Sequence, residues 1–166
     1  TAPNLASIMV LVQESNTRVL LTGDGHADDL LEGLDEQHLL DPQGGIHVGV
    51  FKVQHHGSEH NITKAFARAV TADHYVFCGN GEHENPDLRV VKLIAGSRLG
   101  GSSDKSPNPE VDRTFTFWFN TSSSTTRPSA AAHVKALERQ VRAIALKSSG
   151  RMQVRFGGDS RLRVLP

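Results

Sequence analysis

Val48-Gly49-Val50-Phe51-Lys52-Val53-Gln54-His55-His56-Gly57-Ser58 is the stretch on which the reading of this chain turns. Its first half, VGVFKV, is rich in β-branched and apolar side chains and reads as a strand. It then runs straight into two adjacent histidines and Gly-Ser, polar residues that core packing gives no reason to place at a strand end. Strand alternation would send His55 and His56 to opposite faces, so at most one shares a face with a given metal ion. The other is then a supporting donor or a proton-transfer group. A pair of incidental loop imidazoles is the plainer alternative.

Toward the N-terminus, Ser7–Gln13 and Arg18–Thr22 flank the polar turn Glu14-Ser15-Asn16-Thr17 and read as a hairpin. Its second strand ends on Gly23-Asp24. Gly23 allows a close backbone approach, and the Asp24 carboxylate can reach over the sheet edge to ligate a cation; capping a helix or closing a turn is its plainer role. From His26 to Leu34 the positions Leu30, Leu31 and Leu34 have helical spacing, with Asp28 and Asp29 suiting the positive helix end.

Toward the C-terminus, a helix is expected over 61–70 with Asn61 as its cap, then a strand over His74–Cys78. Asn85-Pro86 opens a second helix through about Ile94. Residues 96–112, rich in Gly, Ser, Pro and Asp, read as a loop. Thr114–Phe119 alternates, with Phe115, Phe117 and Phe119 on one face and Trp118 on the other. Residues 121–129 have the composition of a linker. Ser129–Lys147 carries an apolar helical stripe of Val134, Leu137, Val141, Ile144 and Ala145, and Met152–Phe156 with Arg161–Leu165 forms a terminal hairpin. Three parts follow: 1–120, the 121–129 connection, and 130–166 packing on the same domain. Strands alternating with helices make this an α/β chain.

Composition narrows the chemistry. Eighteen Lys plus Arg balance eighteen Asp plus Glu over 166 residues, so no overall basic field draws nucleic acid or anionic lipid. No apolar run is long enough to span a membrane. The opening TAPNLAS has no initiator Met and no signal-peptide pattern, and reads as the start of a processed or partial chain. The single cysteine, Cys78, excludes an internal disulfide framework and fits a reducing, cytoplasmic compartment. It reads as a small buried hydrophobe. Against it stand nine histidines, so any metal would be held by imidazole and carboxylate. His38, His47, His60, His74 and His133 lack partner spacing and read as surface or loop residues.

The order Asn4-Leu5-Ala6-Ser7, Leu20-Leu21-Thr22-Gly23-Asp24, Lys52-Val53-Gln54-His55-His56-Gly57-Ser58 and Cys78-Gly79-Asn80-Gly81-Glu82-His83-Glu84-Asn85-Pro86 resembles the C-terminal half of the metallo-β-lactamase superfamily. The nearest branch holds the nuclease-like domains of DNA-uptake channels and the phosphorylcholine-esterase-like hydrolases. The resemblance implies half of a four-layer αββα sandwich with a dinuclear metal site at the sheet edge. The metal is usually zinc, with manganese and iron as alternatives. It implies Asp24 as the carboxylate bridging two metals and His56 as a metal ligand. His55 becomes the catalytic group that contacts the substrate oxyanion or tunes the ligand, and Asn80 and His83 hold the substrate's leaving group or phosphate. The implied activity is metal-dependent hydrolysis, most simply of a phosphoester.

The family's His-x-His-x-Asp-His motif is absent; Gly25-His26-Ala27-Asp28-Asp29 is the nearest string and falls in the wrong place. Two ligands from this chain fall short of the three that a catalytic zinc takes. The remaining ligands are expected from a missing N-terminal half, on the same polypeptide or a separate one. A non-catalytic module that keeps the fold, and one subunit of a split hydrolase, are the alternatives. In every case a half-sandwich leaves one sheet face apolar and open.

Overall fold

A computed structural model describes residues 7–157. The chain is α/β. Its strands β1 (Val10–Glu14), β2 (Thr17–Leu21), β3 (Ile46–Lys52), β4 (Val70–Phe77), β5 (Phe115–Phe119) and β6 (Met152–Phe156) form one sheet in sequence order. β1 and β2 are the expected antiparallel hairpin, with Val12 opposite Val19; every later pair is parallel. The helices are α1 (Ala27–Glu36), α2 (Lys64–Ala69), α3 (Leu88–Leu99) and α4 (Ala131–Leu146).

Each parallel crossover adds a strand on the same side, so crossovers of one hand put all four helices on one face. Neighbours in that layer touch in turn, α1 with α2, α2 with α3 and α3 with α4. The register row Leu20, Phe51, Tyr75 and Phe117 faces them and is at most 2% exposed. Tyr75 meets Phe51, Phe115 and Phe117 edge-on, the favoured arrangement of aromatic quadrupoles. The next row, Leu21, Lys52, Val76, Trp118 and Arg155, faces away and is half-buried or exposed. With Val10 and Val12, it makes a bare sheet face carrying several apolar side chains.

Some expectations need correcting. Thr63, not Asn61, caps α2, accepting from the Phe66 amide at 3.2 Å; the Asn61 side chain is engaged elsewhere. α3 starts after Asp87 rather than at Asn85-Pro86. It continues to Leu99 because Val90, Val91, Ile94, Ala95 and Arg98 keep a buried stripe going past Gly96. β4 starts at Val70, since Val70–Ala72 already pairs with Ile46–Val48. His47 lies on a strand, not a loop, and His74 lies inside β4 rather than at its start. Buried residues change parity from Ile46 and Val48 to Phe51, and from Val70 and Ala72 to Tyr75, which brings His74 onto the bare face. There the Trp118 indole donates to His74 Nδ1 at 3.1 Å, and His47 lies 3.3 Å from the Asp73 carboxylate.

Within 121–129, the backbone and hydroxyl of Ser123 both donate to the Glu138 carboxylate, and Thr126 Oγ1 donates to the Asn80 carbonyl. β6 pairs with β5; the second strand of the expected terminal hairpin lies outside the described residues. No helix among the described residues is long and apolar enough to cross a membrane.

Candidate functional site at the strand ends

In a parallel sheet, the loops that follow neighbouring strands leave at the same end of the sheet, where residues carried on loops can be brought together. β2, β3 and β4 are neighbours, and their C-terminal loops carry Asp24, His55 with His56, and Asn80 with His83. The histidine pair lies just past the end of β3 in a tight turn, so strand alternation does not govern it. His55 (φ 44°), His56 (φ 56°) and Gly57 (φ 84°) are all left-handed. A left-handed residue with a Cβ is uncommon and costs about 1 kcal/mol or more unless its surroundings impose it. Seven described non-glycine residues adopt it, and four of them, His55, His56, His83 and Glu84, sit on these two loops. Such concentration points to a functional constraint.

The loops are tied to one another. The His55 amide donates to the Gly23 carbonyl at 3.0 Å, and the Asp87 amide donates to the Gly57 carbonyl at 3.0 Å. Gly57 is needed for a second reason: a Cβ there would lie 2.8 Å from Pro86 Cβ. Lys52 Nζ donates to the Gly23 carbonyl at 3.1 Å, bracing the turn that carries Asp24.

The two imidazoles diverge. His56, exposed, donates from Nδ1 to the Cys78 carbonyl at 3.0 Å; a carbonyl only accepts, so its other nitrogen, Nε2, keeps the lone pair when the ring is neutral. His56 then lines a cavity of about 250 Å³ with Cys78, Asn80, Glu82, His83 and Asn85. Half-buried His55 turns instead toward the Asp24 loop through buried Asn61. Thus His56, Asn80 and His83 share one hollow, while hydrogen bonds link His55 with the Asp24 turn. Among the described residues no group of three or more His, Cys, Asp or Glu side chains is arranged to hold a metal ion.

Burial pushes the Cys78 thiol up, against the opposing pull of Lys52, so it stays protonated near neutral pH. Arg127 pairs with Glu82, whose amide donates to Asn80 Oδ1 at 2.9 Å, fixing the rim of the hollow. Sequence reading missed Lys52 and Asn61. Lys52 is a charge in an otherwise apolar strand, which was a usable signal; Asn61 was masked by its resemblance to a helix cap. Comparison with family descriptions, characterised proteins and solved structures returns no match for this chain.

Proposed function

We propose that this chain is one portion of a metal-dependent hydrolase of metallo-β-lactamase type, acting on a phosphoester. One observation carries the reading: three adjacent strand ends bring an aspartate, a histidine pair in a left-handed turn and a polar hollow to one sheet edge. The donor chemistry fits a borderline divalent metal such as zinc, because His56 Nε2 keeps its lone pair and Asp24 is a half-buried carboxylate. Asp24 and His56 would each offer a donor to the metal pair, together with ligands from a completing N-terminal half, although it is His55 that hydrogen bonds tie to the Asp24 turn while His56 faces the hollow. Bound there, the metals would supply a hydroxide near neutral pH and polarise the phosphoryl oxygen.

The chain's own residues do the rest. His55 acts on the reacting water or phosphoryl group, and Asn80 and His83 offer polar groups to the leaving group or phosphate. Lys52 and Asn61 hold the Asp24 turn in place. The bare sheet face, with Val10, Val12 and Leu21 each more than 40% exposed, is the surface that the completing half would cover.

The test is hydrolysis of an activated phosphodiester by the complete polypeptide, or by this chain with its completing half. Asp24→Ala and His56→Ala should each lower kcat/KM by at least about 100-fold, the upper end of what loss of a supporting residue costs. Activity within twofold of wild type in both variants overturns the assignment.

A further inference from the structure

We infer that Asn61 is a positioning residue that fixes the His55 tautomer, so that neutral His55 presents an Nε2 lone pair and serves as a base or metal ligand rather than a hydrogen-bond donor to an oxyanion. The inference deepens the hydrolase reading and rests on it for the word "base", but the tautomer itself follows from local geometry. Asn61 is 2% exposed. One end of its carboxamide meets two backbone carbonyls, Asp24 O at 2.8 Å and Gly25 O at 3.4 Å. Carbonyls only accept, so that end is the NH₂ and the other end is the oxygen. That oxygen lies 2.7 Å from His55 Nδ1 and cannot donate, so Nδ1 carries the proton. In a neutral ring Nε2 is then unprotonated.

The same amide therefore orients the imidazole and holds the backbone carbonyls of Asp24 and Gly25, coupling two candidate site residues through one side chain. Asn61 is held in turn, since Gln54, fully buried, donates from Nε2 to the Asn61 carbonyl at 3.0 Å. Three hydrogen bonds from a single buried amide leave it no alternative orientation without orphaned polar groups.

The experiment is long-range ¹H–¹⁵N correlation spectroscopy of the ¹⁵N-labelled 166-residue chain at about pH 8, above the ordinary imidazole range. His55, assigned by loss of its signals in His55→Gln, should show protonated Nδ1 and unprotonated Nε2, the reverse of what solvated histidine prefers. Asn61→Asp keeps the accepting oxygen and should preserve that tautomer; Asn61→Ala should release it. His56, held by the Cys78 carbonyl, should stay Nδ1-protonated in every variant and reports that the turn is intact. A wild-type His55 protonated on Nε2 overturns the inference even if Asn61→Ala fails to fold. So does an unchanged Nδ1–H tautomer in a folded Asn61→Ala. Zinc binding and hydrolysis are read separately: their absence with the expected tautomer removes the hydrolase reading and leaves Asn61's role standing.

Discussion

Arg98 is the heaviest charged side chain in the core, fully buried with no carboxylate among its hydrogen-bond partners. Its guanidinium instead donates to four backbone carbonyls and a phenol: Val111 O at 3.0 Å, Arg113 O at 2.9 Å, Glu110 O at 3.4 Å, Ala72 O, and Tyr75 Oη at 3.2 Å. It also stacks 4.7 Å over the Phe115 ring. It thereby pins α3 to β4 and to the 109–113 turn. Arg98→Met keeps most of the volume and removes every donor. Val111 O retains the Arg151 guanidinium at 2.8 Å and Tyr75 Oη retains the Ala72 amide at 3.0 Å, while the half-buried Arg113 and Glu110 carbonyls can gain water. Ala72 O is left to bear the main desolvation cost, about 1–3 kcal/mol, with the other lost charge-assisted bonds partly offset because a cation no longer has to be buried.

The expected net loss is therefore about 3 kcal/mol, or about 6–12 °C in Tm for a domain of this size. Arg98→Lys should rescue less than half of it, since an ammonium retains the burial cost and cannot span five acceptors. Chemical denaturation of both variants against wild type is the assay. A loss in Arg98→Met below about 0.5 kcal/mol, the range of ordinary surface substitutions, would refute the reasoning.

Gly57→Ala should cost at least about 1–2 kcal/mol from its left-handed backbone, plus the clash with Pro86; Gly44→Ala, with φ 76° and open space around it, should cost only the backbone part. Equal Tm losses for the two would contradict the close-approach argument. Thr63→Ala removes the α2 cap and should cost about 1 kcal/mol, whereas Thr63→Ser should be near wild type in denaturant midpoint. Burial holds His47 and His74 below the ordinary imidazole pKa of 6.5, and protonating His74 Nδ1 would also break its bond from Trp118. A folded pKa below the unfolded one means that stability is intact above pH 6.5 and falls as the pH drops beneath it. His74→Asn, which keeps an acceptor for Trp118, should flatten that decline in denaturation midpoints; an unchanged slope contradicts the assignment to His74.

Strand and helix positions were legible because the pattern is local: alternation in Phe115–Phe119, the stripe Val134–Leu137–Val141, the polar turn at 14–17. Strand order was not, since nothing within a strand states its neighbour. The site was half legible. Asp24 and the histidine pair stood out as polar groups at apolar strand ends, yet their relative orientation depends on left-handed backbone at His55 and His56 that residue type alone does not announce. Asn61 and Thr63 both carry capping chemistry within three residues, and only tertiary contacts with His55 and Asp24 decide between them. His47 was misplaced because β3 starts ahead of the apolar run at Val48, and the facing of His74 was hidden because a shift in the pleat cannot be read from composition.

The most direct test of the central claim is the metal content of the folded protein, with any completing half present, measured with its intact mass. About two zinc ions per assembly in a species larger than this chain, reduced in Asp24→Ala, is the result expected of a dinuclear site completed elsewhere. A folded, complete polypeptide that takes up no divalent metal, or whose metal content Asp24→Ala leaves unchanged, would contradict it.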